Sequence, residues 1–257
     1  MRDNIKVIKF TAALSAMFMI ITYLITVNME THFFNLNTIW VSNNFALTAC
    51  GGIFASFFVV LLCEIQKYLS AKSAVETHLF YQATYLYTAL FCMQQNIREY
   101  RESKDSVVPD NLLDMRAGMV QATLSVLQST DYCTFKAHNG LVDVHRRFCS
   151  EGAAKINAVV NECTFLKIAL NLARIENTRL FGNVGVITSG NEIVDKTLAV
   201  LEQEVSQALL QADTYLQEVD KHCKNRYNWG AMRTATHSNY VSIFKCGKIE
   251  DFLKKGE

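Results

Sequence analysis

Two stretches of the chain, Phe10–Val27 and Phe45–Cys63, contain no Asp, Glu, Lys, Arg or His. Each approaches the ~20 apolar residues that a helix needs to cross a hydrocarbon core of roughly 30 Å. Lipid offers no partner to backbone N–H and C=O groups, so runs of this kind must satisfy them internally, as helices. The first run is too long for a signal-peptide core, and the "ITVNMETHFF" that ends it offers no small-residue cleavage site. The 257 residues include one Pro, Pro109. Pro breaks helix interiors and populates turns, so its scarcity predicts long helices with few interruptions. No sustained apolar alternation predicts a sheet. The expected fold is therefore all-α: a two-span transmembrane hairpin over 1–65, then a cytoplasmic helical bundle over 66–257, with a long helix continuing out of the second span.

The flanking charges orient the hairpin. Arg2, Lys6 and Lys9 precede the first span, and Lys67 and Lys72 follow the second. The connection Asn28–Asn44 holds Glu30 and no Lys or Arg. An excess of Lys and Arg on the cytoplasmic side predicts both termini inside and the connection outside. Tyr23, Phe33, Phe34 and Trp40 lie near the outer end, where aromatic rings favour the interface. The expected location is a bacterial inner membrane. The formal net charge of +1 argues against a nucleic-acid coat or a polybasic membrane-surface protein. The eight cysteines form no CxxC or zinc spacing, a usage that fits a reducing compartment.

Small and hydroxyl residues mark one face of each span. Thr11, Ser15, Thr22 and Thr26 fall within a ~60° arc at 100° per residue. Thr48, Gly52 and Ser56 share a face of the second span. Two readings stay open. Such residues let membrane helices approach closely and hydrogen-bond; Gly52 and Ser56 form a small-xxx-small pair that favours packing. Hydroxyls also suit the wall of a water column, which makes Thr11, Ser15, Thr22 and Thr26 pore-lining candidates. Two spans cannot enclose a pore, so the second reading requires a homo-oligomer, with a tetramer favoured. The absence of ionisable groups at membrane depth weighs against a pump or proton-coupled transporter.

Beyond Cys63 the helical pattern is predicted to run without a break to about Ser103. A helix over Asn111–Gln128, a turn ending at Asn139-Gly140 and a long helix over Leu141–Leu180 follow. Gly182, Gly185 and Gly190 lie in an interhelical connection that does not read as a phosphate loop. From Glu192 to Asp220, Val194, Leu198, Leu201, Val205, Ala208, Ala212, Tyr215 and Val219 are spaced 4, 3, 4, 3, 4, 3, 4. That is an a/d seam, to be packed either inside the chain's own bundle or between subunits.

No catalytic constellation is present: there is no GxSxG, HExxH or P-loop, so no enzyme, cofactor or metal site is expected. His138 and His145, with Asp143 nearby, read as a solvated basic face rather than as metal ligands. The segment Lys221–Tyr240 interleaves Lys221, Lys224, Arg226 and Arg233 with Tyr227, Trp229 and His237. Cations attract phosphate and aromatic faces stack bases, so these residues, joined by Arg146 and Arg147 of a second basic patch, are candidates for binding a nucleotide or oligonucleotide. The plainer alternative is a helix end with dipole-favoured cations followed by a packed tail.

The layout, with Phe10–Val27 and Phe45–Cys63 followed by an all-helical remainder, resembles the two-span membrane effectors of bacterial anti-phage systems, including Hailong-like channel subunits. The resemblance implies an oligomeric inner-membrane channel or membrane-disrupting effector, opened by a cytoplasmic nucleotide signal and served by a partner protein of a defence operon. It carries over no site residues, because no motif aligns. The rival reading is a membrane-anchored helical scaffold that passes no ions.

Overall fold

The computed structural model describes residues 2–31, 43–102, 110–129, 139–181 and 191–240. The outer-end aromatics Phe33, Phe34 and Trp40, the residue His138 and the glycine segment 182–190 lie outside these residues. Every element is helical, and there is no strand among the described residues. The described residues divide into two compact units, one up to Val75 and one from Glu76 onward.

In the first unit, α1 runs Arg2–Thr31 and the early part of α2, which spans Asn43–Glu102, returns. Within them, Ile5–Val27 and the helix beginning at Phe45 are long and apolar enough to cross a membrane. The stretch Ile5–Val27, at 1.5 Å per residue, is about 35 Å long. Phe10, Ile20, Tyr23 and Leu24 on α1, and Phe45, Val59 and Leu62 on α2, are exposed. Water would penalise so much apolar surface, whereas lipid accepts it. The two spans touch through stacked Phe18 and Phe57 rings, 5.9 Å between centroids.

The division at Val75–Glu76 falls ten residues beyond the expected boundary, and burial explains the shift. Side chains of α2 from Glu64 to Val75 are exposed or half-buried, and the buried stripe begins at Glu76, Leu79 and Phe80. The second unit is built around α6, Glu192–His222. All eight residues of the a/d seam are buried, so the chain itself covers the seam. Each large aliphatic side chain withdrawn from water contributes about 1.5–3 kcal/mol, which makes this stripe the main support of the unit. Against it lie α5 (Ala153–Phe181) and α4 (Asn139–Arg147), with α3 (Asp110–Ser129) packed on α5. Residues 76–102 of α2 join through the Gln94–Ser206 hydrogen bond and the Arg101–Glu202 ion pair. Asn191 caps α6, its side-chain oxygen accepting from the N–H groups of Ile193 and Val194.

The helix expected over Leu141–Leu180 is continuous but not uniform. The pattern over Leu141–Leu180 divides into α4 and α5 at a π-helical turn, Phe148–Gly152. Buried Val144, Phe148, Gly152 and Ile156 advance in steps of four, which outruns the 3.6-residue turn, and the π turn absorbs the surplus residue. A Cβ at Gly152 would stand 2.8 Å from Phe148 Cδ2. That ring cannot yield, because it is buried and stacked on Tyr215 at 4.1 Å.

Candidate functional site

The hydroxyl face of α1 is not uniform. Thr11 and Ser15 are buried, Thr22 is half-buried and Thr26 is exposed. Thr11 Oγ1 donates to the carbonyls of Val7 and Ile8, Thr22 to Phe18 and Thr26 to Thr22. These back-bonds satisfy the hydroxyls within their own helix, which is what makes them tolerable in lipid. Ser15 differs: its Oγ is buried without a hydrogen-bond partner among the described residues.

On α2 the structure brings Thr48, Gly52 and Ser56 together as one wall of a shallow groove, with Ala49, Ile53, Phe57 and Val60. Nothing lies within 4 Å of the point where a Cβ of Gly52 would sit. The face that most invites close helix approach is therefore open among the described residues.

In the second unit the basic and aromatic segment forms a corner. After α6 the chain turns through Cys223–Asn228 into α7, Trp229–Tyr240. The Asn225 N–H reaches back to the Asp220 carbonyl at 2.8 Å and the Lys224 N–H to the Lys221 carbonyl at 3.1 Å, the paired bonds of a Schellman motif. Lys224, Asn225 and Asn228 occupy the left-handed region. The buried Asp220 carboxylate accepts from the Tyr227 N–H at 2.9 Å and the Trp229 N–H at 2.8 Å, pinning the corner to the end of α6.

This geometry reassigns three of the binding candidates. Trp229 is buried; its Nε1–H donates to Asp213 at 2.7 Å and its ring meets Tyr87 edge-on at 4.9 Å. Tyr227 stacks on Phe80 at 4.3 Å, shares a hydrogen bond with Thr77 and carries the Arg226 guanidinium 5.6 Å from its centroid. Arg233 donates to Asp213 at 2.8 Å. Neither Trp229 nor Tyr227 offers a free face to a base, and Arg233 already has an anion: Tyr227 packs the corner on α2, Arg233 ties α7 to α6, and Trp229 contacts both. His237 completes the contact with α2, stacked on Phe91 at 4.2 Å and bonded to the Tyr87 hydroxyl. Burial raises the Tyr87 hydroxyl to about 12, with Asp213 adding to the shift.

What remains at the corner is a set of exposed cations: Lys221, Lys224 and Arg226. Arg147 belongs near them, since it pairs with Glu218, one turn before Lys221 on α6. Arg146 pairs instead with Asp143 on its own helix. Asp213 and Asp220 organise the whole corner, and sequence reading missed them. The available signal was an acidic residue placed directly after seam positions Ala212 and Val219.

His145 corrects the expectation of a solvated basic face. It is buried, with Nδ1 2.7 Å from the Tyr215 hydroxyl and Nε2 3.1 Å from Cys149 Sγ. Burial pushes its pKa down to about 4, only partly offset by a hydrogen bond to the Leu127 backbone. Burial also pushes the Cys149 thiol up, so the pair stands as neutral imidazole and thiol, a packed polar contact. Among the described residues no group of three His, Cys, Asp or Glu is placed to hold a metal ion. Compared with protein-family models, curated proteins and solved structures, the chain has no match in any of the three.

Proposed function

We propose that the protein is a membrane effector that assembles as a homo-oligomer, a tetramer by preference, and passes ions across a bacterial inner membrane when an anionic ligand, a nucleotide or short oligonucleotide, binds its helical unit. An anti-phage role, and a partner protein supplied by the same operon, follow from the resemblance in layout. The observation that carries the reading is the pair of helices apolar enough to span, with the Gly52 face open among the described residues. An open small-residue face has no use in lipid, and a second helix laid on it gains close packing. Exposed Lys221, Lys224 and Arg226, with Arg147 nearby, form the anion site, contacting phosphates rather than bases. The helix α2 runs without interruption from Asn43 to Glu102, so the apolar segment and the helical unit share one element. The ligand shifts the closed–open balance only by its differential affinity for the two states.

The test is ion flux from liposomes holding the full chain, with nucleoside triphosphates and short single-stranded oligonucleotides supplied to the helical unit. The expected outcome is ligand-dependent flux that is lost on Gly52→Leu and on neutralising Lys221, Lys224 and Arg226 together. Assembled protein that passes no ions under any of these conditions would instead establish the anchored scaffold.

A further inference from the structure

Helices α3 and α5 are each apolar on two faces. On α5, Ile156, Val159, Cys163, Leu166, Leu170 and Ala173 form the buried stripe. Phe165, Ile168, Leu172 and Ile175, spaced 3, 4 and 3, lie on the far side of the same helix and are more than half exposed. On α3 the buried stripe runs from Leu113 to Leu127, and a second stripe of Leu112, Met115, Met119 and Val126 is exposed, with Ala122 filling its missing step. A helix apolar on opposite faces is a buried helix, and among the described residues one face of each is covered and the other is not.

The two exposed seams share a side of the α3–α5 pair. The Asp114–Lys167 ion pair bridges the helices at 3.1 Å. On both helices the exposed seam lies roughly 120–130° around the axis from that pair at 100° per residue.

We infer that this α3–α5 face is an interface with a second copy of the chain. The inference deepens the oligomeric reading proposed above and rests on it. Three observations select the occupant. The first is area: eight large apolar side chains, each between 38 % and 65 % exposed, present a wide patch. Taking ~150–200 Å² per side chain, the patch is on the order of 700 Å², close to the ~800 Å² that each partner of a stable complex buries. The second is periodicity. Both seams have a/d spacing, the pattern by which one helix meets another. The third is charge. Charged residues along the seams are few and of both signs, Arg116 on α3 and Glu176 and Arg179 on α5, among Asn, Ser, Thr, Gly and Ala. A foreign helix is selected by flanking charges, and a bilayer surface by Lys and Arg beside the apolar face. Sparse flanking charges of both signs, Glu176 among Arg116 and Arg179, let two copies of the face meet without a run of like charge.

The experiment uses the full chain in mild detergent, with native mass and maleimide labelling of Ile168→Cys read above the wild-type cysteine background. The wild type is expected to be oligomeric, with position 168 shielded in the assembled fraction and labelled in the dissociated fraction. Phe165→Glu combined with Leu172→Glu is expected to lose the higher-mass species while keeping the helical circular dichroism of the wild type. Full labelling of position 168 in assembled protein overturns the inference, as does a wild type that is only monomeric. Shielding in isolated monomers also overturns it, since lipid, detergent or another part of the chain would then be the cover. The labelling needs no disruptive variant, so misfolding of the double variant does not protect the idea. If the seam variants dissociate but the assembled wild type passes no ions, the channel reading fails and the interface stands.

Discussion

Lys224 occupies a position that glycine would fill more easily. It sits at C′ of the Schellman motif with φ 59°, where a side chain costs about 1–2 kcal/mol of steric strain. Lys224→Gly removes that strain, less the extra backbone freedom that glycine loses on folding, and is expected to stabilise by about 0.5–1 kcal/mol. The thermal midpoint should rise by about 1–4 °C; a fall would show that the lysine side chain contributes more than its strain. The same variant removes a proposed phosphate contact, so higher stability with weaker activation would separate folding from binding. His145 makes the second prediction at this scale. Its pKa is about 4 in the folded chain against an ordinary 6.5, because burial disfavours the imidazolium. A depressed folded pKa means that its contribution is complete above pH 6.5 and is lost as the pH falls from 6.5 towards 4. The difference corresponds to about 3 kcal/mol at full effect. His145→Gln keeps hydrogen-bonding capacity without the titration, so its stability should fall less steeply between pH 7 and pH 4.5 than that of the wild type. Equal slopes in denaturant melts of the two proteins would remove His145 as an acid-sensitive element.

At the scale of elements, legibility followed periodicity. The α6 seam was readable because eight apolar positions at 4, 3 spacing leave one geometry, and all eight are buried. The uninterrupted α2 was readable because nothing between Cys63 and Arg101 breaks a helix, and the element ends at Glu102. The π turn was not readable, since the apolar residues in steps of four do not by themselves place it, and the stacking of Phe148 on Tyr215 of a distant helix is what accompanies it at that turn. The corner between α6 and α7 misled for a related reason. Basic and aromatic residues in alternation have the same composition whether they face a ligand or each other. Only the carboxylates of Asp213 and Asp220, brought in from the previous helix, decide that Trp229 and Arg233 face inward. The hydroxyl face of α1 shows the limit of a helical wheel. It places Thr11 and Thr26 on one stripe, but whether a stripe is covered depends on where the partner helix lies along it. The buried pair Thr11 and Ser15 and the exposed Thr26 therefore differ within one arc.

Two helices long and apolar enough to cross a membrane precede a helical unit of mixed charge, and under the proposed membrane reading the distribution of cations sets the sidedness. Arg2, Lys6 and Lys9 stand before the first span and Lys67 and Lys72 after the second, while the connection has neither Lys nor Arg. Moving that connection inside would require five cations to cross, against one acidic residue retained, and Lys and Arg bias insertion far more than Asp or Glu. The proposed anion site needs this orientation, because a cytoplasmic signal reaches Lys221, Lys224 and Arg226 only if the helical unit is inside. Cys223 would be a poor reporter of sidedness despite its place at the corner, since it is buried and would resist labelling on either side. Lys221 is exposed on the last turn of α6 and is the better position. In intact cells, a membrane-impermeant maleimide should label Asn35→Cys above the wild-type background and leave Lys221→Cys unlabelled. Permeabilising the inner membrane should make Lys221→Cys reactive without changing Asn35→Cys. Labelling of Lys221→Cys in intact cells would invert the topology and place the cationic corner beyond the reach of any cytoplasmic ligand.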